Sequence, residues 1–403
     1  MRQRGQVPQQ SSNRLSAHRV KEAAPLKVAV VVPKFSRIGG AEAFAYETSN
    51  RLAAKSGIEI HIIANRFDTD PMPLIPHRIP HLGFPRALRP LFFAYMVERT
   101  VMKEGFDLIH SHDRIFSMDV LTMHGIPHLT WTKEVRRKRP SLFDKLQSFV
   151  ESRGLSEQKP PIVLSVSSLV QEAVLRRYPH LKSSSRVLHP GADLERFLQC
   201  DSASARRDVR ASRDIAPSDI VLLFVGMNFE IKRLDLVLRG VAEFFKQRPS
   251  GPVLKVLVVG KGDEGKYKRM ASELGILKDV HFAGPRKDIE RFYYAADIFA
   301  MPSSFDTFGI AVLEAMAAGL PPIISENVGA RDILLQGESG IILPAHPDKE
   351  DLAEAIRITC KPEIRMKMGW KARSEAFTHS WDAVADEMEA VYLKAVKGAR
   401  GDI

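Results

Sequence analysis

LKVAVVVPKFSRIGGAEAFAYETSNRLAAK, residues 26 to 55, contains an apolar run, a glycine loop and a helical pattern in direct succession. The run LKVAVVVP is apolar on both faces, which is typical of a strand buried inside a parallel sheet. The residues after the loop are rich in Ala and Glu, which favours a helix. A strand that passes through a short loop into a helix predicts an α/β fold with parallel strands.

The same alternation continues along the chain and restarts in its second half. Further strands are predicted at 58–65, 107–112, 118–124, 162–167, 220–226, 253–260, 280–284, 297–302 and 321–325. Pro190 and Gly191 interrupt the pattern between the two series of strands and helices. Two doubly wound units that face each other form a cleft at the carboxyl ends of their strands, where we expect the chemistry.

Length and composition limit the class of protein. The 403 residues allow two domains with cores of their own, and 44% hydrophobic residues suit a globular chain. No stretch reaches the roughly 20 apolar residues that span a bilayer, and residues 1–26 lack the apolar core of a secretory signal. Cys200 and Cys360 form no disulfide framework. These features predict a cytoplasmic protein with a disordered basic tail over residues 1–26.

The net charge of +11 comes partly from TKEVRRKRPSLFDKLQSFVESR, residues 132 to 153. Its first half is basic, and its second half has apolar residues at helical spacing. This pattern suits a solvated amphipathic helix or a contact with an anionic membrane surface. Nucleic acid is the least favoured partner, because the chain has no regularly spaced stacking aromatics and no recognition-helix signature.

Two loops after strands carry candidate anion-binding groups. In FSRIGGAEAF, Gly39 and Gly40 allow backbone N–H groups to approach a phosphate, although a tight turn alone also explains them. The pattern is not G-x-G-x-x-G, which disfavours a nicotinamide cofactor. In GMNFEIKRLDLVL, Lys232 and Arg233 precede a helix and suit a diphosphate, with a solvated charged pair as the alternative.

Four histidines, His110, His112, His124 and His128, are grouped in one region. No accompanying set of carboxylates or cysteines completes a metal site, so zinc is not expected. His124 ends a predicted strand and should point into the cleft. A structural histidine remains the alternative for each of the four.

SSFDTFGIAVLEAMAAGLPP, residues 303 to 322, predicts a buried helix that begins near Thr307 and stops at Gly319. Glu314 lies inside this apolar segment, where a carboxylate is costly unless a partner binds it. Asp306 precedes the helix and either caps it or lies beside a ligand. Anions are favoured at the start of this helix.

Several of these stretches together resemble one known family. DTFGIAVLEAMAAGLP resembles the E-x7-E signature of retaining GT-B glycosyltransferases of family 4, and SRIGGAE is similar to its glycine loop. RVLHPGADLERF and VGMNFEIKRLDLVL resemble its interdomain stretch and its diphosphate site. The order matches from about residue 27 to 385. Within the family, HDRIFSMDVLTMHG and GMNFEIKR are most similar to lipopolysaccharide core glucosyltransferases.

The resemblance implies an architecture. It predicts a GT-B fold, with two Rossmann-like doubly wound domains that face a central cleft. Residues 27–195 would form the acceptor domain, 196–380 the nucleotide-sugar domain, and 381–403 a helix that crosses back to the first domain. It also implies a nucleoside-diphosphate sugar donor, taken to be a UDP-sugar, with no cofactor and no metal ion.

The resemblance also implies roles for the residues that match the family's motifs. Glu314 would bind the ribose hydroxyls and Asp306 would lie beside the donor sugar. The backbone of the helix start would contact sugar and phosphate, through Phe308, Gly309 and Ile310.

The remaining roles fall on the loops around the cleft. Lys232 and Arg233 would bind the diphosphate, which the Gly39–Gly40 loop would approach. His124 would line the sugar site and Arg286 would lie near the base. His124, Asp306 and Lys232 form the predicted catalytic set.

Two departures from the family signature concern the donor. Asp306 stands where the signature has Glu, and Ile231 stands where an Arg usually precedes the Lys. The resemblance predicts a retaining transfer of a hexose, taken to be glucose, to a glycolipid such as lipopolysaccharide core at the inner membrane surface. Another acceptor (an exopolysaccharide or a phospholipid), a GT-B-like epimerase or phosphorylase, and a non-catalytic membrane scaffold remain alternatives.

Overall fold

The computed structural model describes residues 24–71, 73–247 and 253–400, and the side chains of residues 398–400 are not described. Most of the predicted basic tail therefore lies outside the described residues. Within these ranges, no helix combines the length and the apolar character that crossing a bilayer would require.

The first half of the chain forms a parallel sheet of seven strands and a separate two-stranded pair. The order in the sheet is β5-β3-β1-β6-β7-β8-β9, and β2 pairs with β4. The strands are β1 (Leu26–Val31), β2 (Lys34–Phe35), β3 (Ile58–Ala64), β4 (Arg66–Phe67), β5 (Ile75–Arg78), β6 (Leu108–Ser111), β7 (Val120–Met123), β8 (Ile162–Ser165) and β9 (Ser185–Val187).

The second half forms a parallel sheet of six strands in the order β12-β11-β10-β13-β14-β15. These strands are β10 (Ile220–Gly226), β11 (Leu254–Gly260), β12 (Val280–Gly284), β13 (Ile298–Met301), β14 (Pro322–Ser325) and β15 (Ile341–Leu343). In both sheets the chain starts near the middle, moves to one edge, and then returns to build the other side. The carboxyl ends on either side of this reversal create the crevice in which doubly wound folds bind ligands.

Helices cover both sheets. They are α1 (Gly40–Ala53), α2 (Arg89–Glu104), α3 (His128–Thr130), α4 (Leu142–Gly154), α5 (Ser168–Arg177), α6 (Leu194–Gln199), α7 (Ser202–Ala211), α8 (Leu234–Gln247), α9 (Glu264–Glu273), α10 (Ile289–Ala295), α11 (Ile310–Ala317), α12 (Lys349–Thr359), α13 (Pro362–Ala376) and α14 (Trp381–Arg400). Helix α3 continues into a π-helical turn over Trp131–Val135.

The prediction of an α/β protein with two doubly wound sheets is confirmed. The strands that the sequence pattern did not predict are β2, β4, β5, β9 and β15, which are two to four residues long. Such short segments provide too few residues for an apolar pattern to be recognised. They lie at the sheet edges or in the small separate pair.

Helix α14 packs against the first half of the chain, although it follows the second sheet. Its buried side chains Trp381 and Tyr392 belong to the same core cluster as Phe44 of α1. The ammonium group of Lys55, two residues after the end of α1, also binds Glu389 of α14 at 2.5 Å. The last helix therefore ties the end of the chain to the first sheet.

Candidate active site

Three adjacent cavities lie along the cleft between the two halves. The central cavity has a volume of about 420 Å³, and its lining includes Gly40, His124, Lys232, Asp306 and Gly309. It brings together residues that are up to 271 positions apart in the sequence (Gly40 to Ala311). They come from the glycine loop, the end of β7, the turn after β10 and the start of α11.

The central cavity is flanked by two others that share residues with it. The Trp131 cavity, about 400 Å³, shares Asp306 and Thr307 with the central one. The Glu314 cavity, about 630 Å³, shares Ile310 with it. Asp306 therefore separates two cavities of one continuous row, and Glu314 lies at the opposite end of this row from Trp131.

The start of helix α11 differs from the prediction. The helix begins at Ile310 rather than Thr307, because Gly309 precedes it in the left-handed region at φ 91°. A Cβ at Gly309 would also lie 3.0 Å from Met301 and Val328 side-chain atoms. No side chain caps the helix, so of the two alternatives for Asp306 the capping role is excluded. Instead, the backbone of Asp306 bridges to Val328 in an extended conformation.

The Asp306 carboxylate binds the Lys232 ammonium group, which donates a hydrogen bond to it. Two contacts bring these residues together. Ser304 N–H donates to the carbonyl of Ile231 at 2.8 Å, which joins the turn after β10 to the loop before α11. Gly226 leaves room for the Lys232 stem, since a Cβ there would lie 2.9 Å from Lys232 Cγ. The cation and the carboxylate both face the central cavity.

Two other predicted cations form local ion pairs. Arg233 has φ 60° and binds Asp235, with 3.0 Å between Nε and Oδ1. Arg286 binds Asp288, with 2.9 Å between the corresponding atoms. Neither arginine is among the residues that line the three cavities within the described chain. Their assignment to the diphosphate and to the base stays a prediction.

The glycine loop lies where the sequence analysis expected it. Gly39 has φ 123° and precedes α1, and a Cβ there would lie 2.3 Å from Glu42 Oε2. Gly40 lines the central cavity, and a Cβ at this position would meet no atom within 4 Å. Gly39 is therefore required by the turn, whereas Gly40 leaves open space beside the helix start.

Three of the four grouped histidines form one cluster, in which His110 and His112 are buried and His124 lines the central cavity. His112 Nδ1 lies 2.9 Å from His124 Nε2, and the rings of His110 and His112 are 4.3 Å apart. His110 also contacts Tyr392 Oη at 2.7 Å and Thr122 Oγ1 at 2.8 Å. The buried Nε2 atom of His112 has no hydrogen-bond partner among the described residues.

Burial controls the protonation of this histidine cluster. It lowers the pKa of His110 to about 3, and it holds the pKa of His112 well below its usual value of 6.5. Burial and the nearby Arg114 cation lower the pKa of His124. All three rings are therefore neutral near pH 7. In the described parts of the chain, no group of three or more His, Cys, Asp or Glu is arranged to hold a metal ion.

The fourth histidine lies elsewhere. His128 lines the Trp131 cavity, and its Nε2 lies 2.8 Å from Asp144 Oδ1. Asp144 belongs to a capping box with Ser141 at the start of α4, and the Ser141 hydrogen bonds are the main reason that its pKa falls to about 2. Sequence proximity grouped His128 with the histidine cluster, but in the fold it lines the neighbouring cavity.

Glu314 has a protein partner. The Tyr293 hydroxyl donates to Glu314 Oε2 at 2.8 Å, and the carboxylate lines the Glu314 cavity. Burial raises the pKa of Glu314, while the Arg196 cation and the Tyr293 hydrogen bond oppose this rise. The carboxylate is therefore held in a fixed position at the edge of an open cavity. Its predicted contact with a ribose stays a prediction.

Several site residues were not found from the sequence. Trp131 and Phe305 both line the Trp131 cavity and contact each other, with ring centroids 5.5 Å apart. Ser167 Oγ donates to the carbonyl of Thr307 at 2.6 Å, and the hydroxyl of Ser168 donates to Asp332 at 2.5 Å. The sequence signals were the polar S-S pair after β8 and an aromatic residue next to Asp306, but neither signal indicates a partner.

Comparisons with known proteins agree along most of the chain. A family model described as "Glycosyltransferase Family 4" matches residues 38–196, and one described as "Glycosyl transferases group 1" matches residues 205–375. A D-inositol 3-phosphate glycosyltransferase of Corynebacterium glutamicum is 30% identical over 316 residues, which cover 74% of this chain and 75% of the relative. A protein named D-inositol 3-phosphate glycosyltransferase 2, from Catenulispora acidiphila, is 28% identical and covers 90% and 91%.

Solved structures share the fold at low sequence identity. The glycosyltransferase WaaG, described as involved in lipopolysaccharide biosynthesis, has a TM-score of 0.75 at 20% identity and covers 90% of this chain and 98% of its own. Anabaena HepE in complex with UDP-glucose has a TM-score of 0.69 at 16% identity and covers 91% and 99%. These likenesses confirm the predicted fold.

Proposed function

The chain belongs to the group 1, family 4 glycosyltransferases with the GT-B fold, and on this premise we propose that it transfers a hexosyl group from a nucleoside-diphosphate sugar to a hydroxyl of an anionic acceptor. The observation that carries the proposal is the Lys232–Asp306 pair at the start of α11, opposite Gly40 and His124. A cation and free helical N–H groups around one cavity suit a diphosphate.

The row of cavities fits the parts of such a donor. Its diphosphate would lie at Lys232 and the backbone of Phe308, Gly309 and Ile310, and its sugar beside Asp306 and His124. Its ribose would extend into the Glu314 cavity, where the carboxylate can accept hydrogen bonds from two hydroxyls. We take the donor to be a UDP-sugar, as the sequence resemblance implies. Anabaena HepE, which has a similar fold, was solved in complex with UDP-glucose.

The reaction proposed for this site retains the anomeric configuration. The bond between C1 of the sugar and the leaving diphosphate breaks while a bond from C1 to the acceptor oxygen forms on the same face. The acceptor's proton passes to the leaving diphosphate oxygen. Lys232 and the start of α11 stabilise the negative charge that develops on that oxygen, which is the main way such sites accelerate transfer. The charge on Lys232 is also the basis for proposing that transfer needs no metal ion and survives chelation with EDTA.

The first prediction separates the roles of the two carboxylates. Asp306→Asn should lower kcat roughly 100-fold, because it breaks the pair that positions Lys232 beside the developing charge. Glu314→Gln should mainly raise the donor KM, by about tenfold, because it weakens hydrogen bonds made equally before and during transfer. Steady-state kinetics with UDP-glucose and a small panel of other nucleotide sugars measures both constants.

Glu338→Gln serves as the matched control, since Glu338 is exposed and lies outside the three cavities. Near-wild-type constants for both site variants, with the wild type active, would disprove this assignment of the donor site. Formation of an epimer of the donor sugar without an acceptor alcohol would favour the epimerase alternative.

The acceptor has two candidate sources. The curated relatives are named for D-inositol 3-phosphate, which favours a small phosphorylated polyol. The lipopolysaccharide core predicted from the sequence is the second candidate. An exposed surface favours it, because Leu142, Phe143 and Phe149 of α4 are exposed near the basic residues 133–139. Such a surface suits peripheral contact with an anionic membrane. Transfer to each acceptor, with and without anionic vesicles, distinguishes the two.

A further inference from the structure

The Trp131 cavity has no role in donor binding as proposed above, yet it adjoins the sugar end of the row. Asp306 and Thr307 form the wall between it and the central cavity. A group held in the Trp131 cavity would therefore lie next to a sugar held beside Asp306. Its volume of about 400 Å³ is in the range of natural small-molecule sites.

The walls of this cavity are aromatic. Trp131 comes from the first half of the chain and Phe305 from the second. Their rings are tilted at 51° to each other, and both residues are half-buried. The negative face of an aromatic ring attracts the slightly positive C–H hydrogens on the face of a saturated ring. Two such surfaces suit a six-membered ring with hydroxyl groups at its edge, such as a sugar or a cyclitol.

The polar groups of the cavity are already paired with protein partners. His128 binds Asp144 at 2.8 Å, and Arg114 donates to the buried Glu151 at 2.7 Å. Asp306, which also lines the cavity, is paired with Lys232, so each of these groups has a protein partner of its own. The part of the ligand inside the cavity should therefore be uncharged and hydrogen-bonding.

A surplus of positive charge lies just outside. The basic segment, residues 133–139, contains five cations and one carboxylate, and all six charged side chains are exposed. Within the described chain, none of the five cations forms an ion pair. Backbone hydrogen bonds from Arg136 N–H to the Trp131 carbonyl at 2.9 Å and from Lys138 N–H to the Thr132 carbonyl at 3.0 Å fold the segment onto the turn that carries Trp131.

We infer that the Trp131 cavity is the acceptor subsite, that it holds a hydroxylated six-membered ring against Trp131 and Phe305, and that an anionic substituent of this ring extends to the basic segment. The inference rests on the proposed function and specifies its acceptor. A phosphorylated cyclitol and the phosphorylated sugar of a glycolipid share this chemistry. In both cases the ring hydroxyl that faces Asp306 receives the hexosyl group.

The test compares Trp131→Ala and Trp131→Phe with Trp370→Ala. Trp370 is the matched control, because it is 73% exposed on α13 and outside all three cavities. Trp131→Ala should raise the acceptor KM about tenfold or more, and the donor KM by a much smaller factor. Trp131→Phe should restore most of the affinity, because it keeps an aromatic face.

Binding is also measured without turnover. The chain has three tryptophans, so acceptor binding should change the intrinsic fluorescence of the wild type and much less that of Trp131→Phe. The probes are D-inositol 3-phosphate and a lipid-free phosphorylated core oligosaccharide. The probe that binds with the higher affinity identifies the class of acceptor. Unphosphorylated myo-inositol should bind more weakly than D-inositol 3-phosphate.

The role of the basic segment has its own variants. Changing Arg136, Lys138 and Arg139 to Gln should weaken binding of the phosphorylated probe and reduce its salt dependence, while myo-inositol binding stays the same. Three exposed lysines elsewhere, Lys182, Lys278 and Lys367, changed to Gln, provide the charge-matched control.

The outcomes separate this inference from the proposed function. An active wild type with an unchanged acceptor KM in Trp131→Ala would overturn the subsite while leaving the transferase assignment intact. Loss of acceptor-free donor hydrolysis together with transfer in Trp131→Ala would assign Trp131 to the donor site instead. A wild type that neither hydrolyses nor transfers from any nucleotide sugar would overturn the proposed function itself.

Discussion

His112 shows how one buried atom constrains the donor site. A single proton lies between His112 Nδ1 and His124 Nε2, so one ring donates and the other accepts. If His124 donated, His112 would carry its proton on the buried Nε2, which has no acceptor among the described residues. A buried N–H without a partner is rarer than a buried acceptor without one. We therefore assign the donor role to His112, which leaves the proton of His124 on Nδ1, free to donate to a ligand.

A residue-scale prediction follows for His112. His112→Leu should lower kcat/KM about tenfold, the value of one hydrogen bond, because His124 loses the partner that sets its tautomer. His112→Asn, which keeps a donor, should recover part of the activity. The ¹⁵N shifts of His124 report the tautomer directly and should change in His112→Leu.

The control for this comparison is His346→Gln, a substitution at an exposed histidine. A merely structural role for His112 would leave the tautomer of His124 unchanged while lowering stability. That result, or equal activity of the Leu and Asn variants, would contradict the assignment.

Among the elements, β6, β7 and α14 meet at the histidine cluster. His110 lies in β6 and binds Thr122 of β7 and Tyr392 of α14, with 2.7 Å to the tyrosine oxygen. The ring has no contact with solvent, so its neutral form is required by this packing. The packing of the last helix on the first sheet therefore favours the neutral form of His110.

The element-scale prediction concerns acid stability. In the unfolded chain His110 takes up a proton below about pH 6.5, whereas in the folded protein its pKa is about 3. The unfolded state therefore binds more protons between these values, and the free energy of unfolding falls as the pH falls from 6.5. The loss from this one group is about 2 kcal/mol at pH 5.

Urea unfolding at pH 7 and pH 5 measures this effect. His110→Gln should show a smaller loss of stability between the two values than the wild type, whatever its stability at pH 7. His346→Gln should keep the wild-type difference, because His346 is exposed in the folded state. Identical pH dependence in all three proteins would contradict the prediction.

For the whole molecule, two groups of contacts help to fix the relative position of the two halves. The chain crosses between them twice at one point, where Ala192 N–H donates to the His379 carbonyl at 3.0 Å. A Cβ at the neighbouring Gly191 would lie 2.7 Å from Trp381 N, so the two crossings are in direct contact. On the cleft side, Ser168 donates to Asp332 from both its N–H, at 2.6 Å, and its hydroxyl.

The prediction at this scale is that the Ser168–Asp332 contact favours a closed cleft. Asp332→Ala should widen the cleft in the absence of donor, seen as a larger radius of gyration in solution scattering. It should also raise the donor KM several-fold with little change in kcat, because bound donor restores closure. Glu172→Gln is the control across the same interface, because it removes only the 3.2 Å pair with Arg331, and a pair whose carboxylate is 63% exposed contributes little. Equal scattering and kinetics for both variants would contradict a role for Asp332 in closure.

Much of the architecture was predictable from the sequence. Buried strands such as 26–31 and 220–226 are continuous apolar runs, and the glycine loop and the position of α11 follow from backbone sterics and apolar pattern. These are properties of short segments, which a single segment displays by itself. Glu314 was recognisable for the same reason, as a carboxylate in an apolar helix.

Only the tertiary structure determined which distant groups meet. The partner of Asp306 is 74 residues away, Tyr392 is 282 residues from His110, and Phe305 faces Trp131 from the other half of the chain. Even the start of α11 depended on a φ of 91° at Gly309, beside the packed side chains of Met301 and Val328. Local pattern specifies each strand and helix, but the contacts of a cleft depend on how two packed sheets are placed against each other. That placement results from the burial of all the elements together, which no single segment encodes.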